Sequence, residues 1–168
     1  PTYIIEYVTG LVIENVDGII TSIQNATGKN YIPAFNIRAN SGITNVTGDA
    51  TVYTIVFDSE NFDLQNNFAS NTFTAPITGQ YTLSWIINLT GVSASHTTGV
   101  LELVTSARTY NMTGNYGAMQ IAGALTLVGS LLVDMSYGNT AYLRLTVYGG
   151  AKEVDVQTNS WFTGHLIQ

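Results

Sequence analysis

A chain of 168 residues with a formal net charge of −6, only 5 Lys and Arg, and no cysteine excludes several classes of protein at once. Nucleic-acid binding needs clustered cations that displace counterions, and the sequence has no such cluster. Thiol catalysis, disulfides and cysteine-based metal sites are absent.

Charged residues are 10% of the chain, against roughly 25% in ordinary soluble domains. The polar surface is therefore built from Thr, Asn, Ser, Gln and Gly, a composition suited to an extracellular or particle-bound protein. The most apolar run, 122–135, is interrupted by Thr126, Gly129, Ser130 and Asp134 and is too short to span a bilayer, so no membrane insertion is expected. The chain opens on Pro1 with no signal-peptide pattern and reads as the distal end of something longer.

Residues 1–32 differ from the rest. Tyr3 to Val8 is β-prone, and Asp17-Gly18 between two apolar runs predicts a two-residue hairpin turn. A neck joined to an upstream stalk and a pair of extra edge strands are equally consistent with this segment. The main domain, 33–168, opens at Pro33-Ala34-Phe35. Thr51 to Asp58 alternates with apolar residues on both faces and predicts a doubly covered strand.

Phe57 to Leu89 then supplies the most informative stretch. An acidic loop and a strand lead to the turn Ala75-Pro76-Ile77-Thr78-Gly79, where Pro76 fixes φ and Gly79 offers a left-handed backbone. The next strand sets Tyr81, Leu83, Trp85, Ile87 and Leu89 on one face. Gly91 to Gly99 reads as a polar loop and Ala107 to Gly123 as irregular. Three further alternating strands are predicted at 124–135, 141–148 and 160–167. Many short strands, Gly-bearing turns and no amphipathic helix predict an all-β sandwich or barrel.

The order of these signals resembles a C1q-like domain of the C1q/TNF superfamily. The resemblance rests on Ala34-Phe35, on Phe73-Thr74-Ala75-Pro76 leading through Gly79 to Tyr81 and Trp85, on Leu132-Val133-Asp134 followed by Gly138-Asn139 and Tyr142, and on Ser160-Trp161-Phe162-Thr163-Gly164-His165-Leu166. Asn139 departs from the usual acidic residue of that turn. The cysteine-free, Thr- and Asn-rich composition looks most like the C1q-like tips of viral, phage or bacterial surface fibres. The resemblance implies a ten-stranded jelly roll that assembles as a homotrimer. It also implies that the strand equivalent to 141–148 lines the trimer axis. Tyr142, Arg144, Tyr148, Trp161 and His165, on the non-core faces of their strands, are the expected interface residues.

Candidate sites are sparse. Asp58, Glu60 and Asp63 sit in an acidic segment that reads first as a solvated loop; their carboxylates are also hard oxygen ligands of the kind calcium takes, although EF-hand spacing is missing. No other cofactor is expected. His96 and His165 have no zinc or triad pattern around them, and no Gly-x-Ser-x-Gly elbow occurs. Tyr110, Asn111, Asn115, Tyr116 and Gln120, with His96, lie in the loops that depart from the family core and offer rings and amides to a sugar or protein. The expected function is a non-enzymatic trimeric binding head on an extracellular or virion fibre, recognising a host-surface glycan or protein. A purely structural trimerisation cap is the alternative, and a polysaccharide-degrading enzyme a distant one.

Overall fold

The computed structural model describes residues 2–6, 11–16, 19–25 and 32–167, with side chains described over 32–167. The chain divides into two compact units, Pro1–Pro33 and Ala34–Gln168. The first holds an antiparallel sheet of β1 (Thr2–Glu6), β2 (Leu11–Val16) and β3 (Ile19–Asn25), in that order. Val16 stands opposite Ile19; the Asp17-Gly18 turn expected between them lies outside the described residues.

The second unit runs through β4 (Ala34–Arg38), β5 (Ile43–Thr47), β6 (Val52–Thr54), β7 (Ser59–Asp63), β8 (Phe68–Ala69) and β9 (Thr72–Thr74). It continues with β10 (Gly79–Thr90), β11 (Thr98–Thr105), β12 (Thr109–Gly114) and the single helical turn α1 (Tyr116–Met119). The last strands are β13 (Leu125–Met135), β14 (Thr140–Tyr148), β15 (Val154–Val156) and β16 (Trp161–Leu166). These strands form two antiparallel sheets. In the first, β10 is central, with β13 on one side and β16, β4 and β7 in succession on the other, while β15 and β5 extend its far end. The second has the order β12-β11-β14-β9-β8, with β6 also on β14.

The alternation of β10 is the reason the sheets face each other. Tyr81, Leu83, Ile87 and Leu89 are at most 1% exposed, and Ala141, Leu143, Leu145 and Val147 of β14 answer them fully buried from the opposite sheet. Phe162 sits in an aromatic cluster, with ring centroids 5.1 Å from Phe35, 6.0 Å from Phe57 and 6.2 Å from Phe68. Burial of such rings is the dominant stabilising term, about 2–3 kcal/mol for each fully buried side chain.

Four local expectations are corrected. The strand predicted over 51–58 stops at Thr54: Ile55 still donates its N–H to the Leu143 carbonyl of β14 at 3.0 Å, and the chain then crosses to the other sheet with Phe57 buried in the crossing. The acidic segment is not a loop, because Ser59–Asp63 pairs with β4. The irregular stretch 107–123 contains the edge strand β12 and α1, whose N-cap Asn115 accepts the Ala118 N–H at 3.0 Å. Gly79 is already in β10 and is not among the residues with positive φ, so the reversal is completed by Pro76 to Thr78.

Candidate interaction face

The outer surface of the first sheet is built by the residues that alternate with the core positions. Across the sheet the register places Ser130, Ser84, Thr163 and Asn36 in one row, and Val128, Ile86, Trp161 and Arg38 in the next. Leu132, Thr82, His165 and Ala34 form a third. Val128 is 62% exposed, Leu132 56% and Ile86 40%. Large apolar side chains thus stand together on one face, which makes it the candidate interaction surface of the domain. The Ser84 and Ser130 hydroxyls bond each other at 2.7 Å, and the Arg38 guanidinium lies 5.8 Å from the Trp161 ring centroid.

A groove of about 650 Å³ crosses this face, and no charged residue lines it. Its floor depends on a close approach: Trp85 stands opposite Gly129, and a Cβ at Gly129 would fall inside the indole ring. Only glycine lets the ring lie across β13. Trp85 also lines a smaller recess of about 220 Å³ with Tyr110, Asn111, Met112 and Leu131. Trp85 is 6% exposed and its Nε1–H has no hydrogen-bond partner. Among the described residues β13 pairs only with β10, so its other edge presents free backbone groups along a strand with no Lys and no Pro. Natural sheets seldom leave such an edge uncovered.

The residues expected from sequence fall in different places. Trp161 and His165 are on this face, whereas Tyr142, Arg144 and Tyr148 are on the outer surface of the other sheet. The five do not share a patch. Arg144 is moreover engaged by Glu102, Nε to Oε2 at 2.6 Å and Nη2 to Oε1 at 3.1 Å, and this pairing holds its proton above the usual arginine range.

His96 and Tyr116 are corrected as binding residues, because the chain folds over them: they are 0% and 1% exposed. The Asn115 side chain is spent on the α1 cap, and the Gln120 side-chain oxygen Oε1 accepts the Gly123 N–H at 2.6 Å. Tyr110 and Asn111 alone of that set face a recess, at the open margin between β12 and β13.

The structure does not gather Asp58, Glu60 and Asp63 into a metal-holding group; no cluster of three or more such ligands occurs among the described residues. Asp58 instead accepts the N–H groups of Asn40 and Ser41, and Asp63 that of Phe68 at 2.7 Å. Sequence reasoning missed Val128, Leu132 and Ile86. The signal was the apolar character of both faces of 124–135.

Two antiparallel sheets in this order, with a central strand after a Pro turn, define a jelly roll of the C1q/TNF type. The same fold occurs in the globular domain of zebrafish complement 1qA protein, at 17% identity and TM-score 0.56, over 81% of this chain and 98% of that one. It occurs also in murine APRIL, at 8% identity and TM-score 0.57, over 81% of this chain and 99% of that one. The chain belongs to the C1q domain family, whose sequence profile matches residues 34–167. No curated protein matches it at the sequence level. No helix among the described residues is long and apolar enough to cross a membrane.

Proposed function

We propose that this chain is a homotrimeric, non-enzymatic binding head of an extracellular assembly, recognising a surface glycan or protein of a host. The observation that carries the trimer is the uncharged groove and the exposed Val128, Leu132 and Ile86 on the outer face of the first sheet, beside the uncovered edge of β13. C1q/TNF domains are typically trimeric, receptor-binding and extracellular, which supports the same reading. A three-fold ring needs a heterologous contact, one patch of each copy against a different patch of the next. The face around Trp161 and the β12–β13 margin with its recess are two such patches. Interfaces of this kind are depleted of charge at their centre and enriched in aromatic residues.

Three copies multiply a weak single-site affinity when all can engage one surface. A fibre tip on a virion, phage or bacterial surface is the setting the Thr- and Asn-rich, charge-poor composition favours. The structural-cap alternative draws on a specific observation: four of the six residues expected to touch a ligand, His96, Tyr116, Asn115 and Gln120, are used internally.

Light scattering at micromolar concentration is expected to return three chain masses, and a single chain mass overturns the trimer. Saturable binding to host cells or to a glycan array is expected of the binding head; a trimer that binds neither is the cap. Replacing Tyr142, Arg144 and Tyr148 together by alanine is expected to leave the mass of the assembly unchanged, because the three lie on the sheet away from the apolar face.

A further inference from the structure

At the end of the sandwich where β10 finishes, one buried imidazole joins segments that are distant in sequence. His96 is 0% exposed. Its Nδ1 accepts the backbone N–H of Ser93 at 2.8 Å, and its Nε2 donates to the Ala151 carbonyl at 3.1 Å. An amide N–H can only donate and a carbonyl can only accept, so the ring is neutral with its proton on Nε2. The backbone of the same residue adds two bonds, His96 N–H to Ser93 O at 3.0 Å and Gly117 N–H to His96 O at 2.8 Å. A Cβ at Gly48 would lie 2.9 Å from Nε2, and one at Gly150 would enter the ring. One side chain therefore ties the 91–97 loop to the 149–153 segment, packs against Gly48, and is joined through its carbonyl to the start of α1.

We propose that His96 is an acid-opened latch on this end of the domain. A second proton must go to Nδ1, where it faces the Ser93 N–H: two donors then oppose each other in a site without water access. The nearest alternative acceptor is the Ser93 hydroxyl, 3.1 Å from Nδ1, already bonded to Ser95 at 2.7 Å and 3.5 Å from Glu153. The charged groups on the packed segments are Glu153, reached through Ser93, and Asp49 and Lys152, which follow Gly48 and Ala151 in sequence and are exposed. On the α1 side the titratable neighbour is the buried Tyr116 phenol, whose pKa burial pushes up. Protonation releases the Ser93 bond and frees the 91–97 loop and the 149–153 segment while the sheets stay paired. The latch does not rest on the trimer.

The carboxylates that pin backbone elsewhere leave the window around neutral pH clear. Asp49 is held below the usual carboxylate range by hydrogen bonds from the Thr51 side chain and N–H, and Asp58 by bonds from the Ser41 side chain and the Asn40 N–H. What they contribute is present above that range and lost only as pH falls through their lowered values.

Hydrogen exchange, corrected for its intrinsic pH dependence, tests the latch between pH 7.5 and 5.5. Peptides covering 91–99 and 149–153 are expected to exchange several-fold faster at the lower pH, up to the roughly tenfold that one imidazole proton allows across this window, with β10 and β14 unchanged. His165→Gln should keep the step, and His96→Gln should abolish it. Should His96→Gln not fold, long-range nitrogen–proton correlation of wild-type imidazoles gives the second reading, with Nδ1 bare at pH 7.5 and protonated as Ser93 loses protection. The latch is overturned if Nδ1 carries the proton at neutral pH, if His96 stays neutral throughout that window, if it titrates without loop exchange, or if His96→Gln retains the step.

Discussion

Replacing Val128 and Leu132 together by aspartate should hold the protein at the mass of one chain with its sheets intact. In a single chain both positions are more than half exposed, so the carboxylates meet water and the cost is small, within about 1 kcal/mol for the pair. β13 is also an edge strand, where charge is tolerated and discourages further pairing. In a ring of copies the same carboxylates are desolvated without a cation, and each such contact costs several kcal/mol. The ring repeats that cost at every interface. Light scattering of the variant at micromolar concentration checks the outcome, with far-ultraviolet circular dichroism to establish that strand content persists. A variant that keeps three chain masses would remove this face from the interface.

The second large effect is expected in the core. Phe162→Ala empties the centre of the cluster formed with Phe35, Phe57 and Phe68. Truncating a fully buried Phe costs about 3–5 kcal/mol through lost transfer and cavity terms. For a domain of this size that lowers Tm on the order of 10 °C. Tyr137→Ala, at a residue 75% exposed, should stay within about 0.5 kcal/mol. Denaturant titration of both variants measures the difference. Equal losses would mean that the aromatic cluster does not carry the stability assigned to it.

What the sequence disclosed follows the physics of each strand. β10, β13 and β14 were legible because each turns one face to the core: Tyr81 to Leu89 alternates throughout, Leu125, Leu127, Val133 and Met135 mark the two ends of β13, and Ala141, Leu143, Leu145 and Val147 mark β14. Thr109–Gly114 was not legible: as an edge strand it leaves Asn111 and Thr113 in solvent, and only Tyr110 and Met112 hint at a buried side. Ser59–Asp63 hid for the same reason, since its charges are what an edge strand tolerates. Ile55 and Phe57 misled in the other direction. Ile55 is buried at its last bond to β14 and Phe57 in the crossing between sheets, and the two together have the same apolar signature as a covered strand.

The candidate face was half legible. Trp161 and His165 announced themselves as large groups opposite core residues. Val128 and Leu132 did not, because a strand apolar on both sides is ordinarily explained by burial on both sides. The burial of His96 and Tyr116 could not be read at all, as it depends on glycines distant in sequence that let the backbone close around them.

The pairing of Ala34 with His165 has a consequence for load. The first and last strands of the domain run side by side, so the chain enters and leaves at one pole, and β10 carries the structure from there to the 91–97 loop at the other. At about 3.3 Å per residue, the length of β10 separates the poles by roughly 35–40 Å. A pull that draws those two ends apart acts on the open end of the β4–β16 ladder and loads its hydrogen bonds one pair after another rather than all at once. The loop pole lies outside that path and is free to meet another surface.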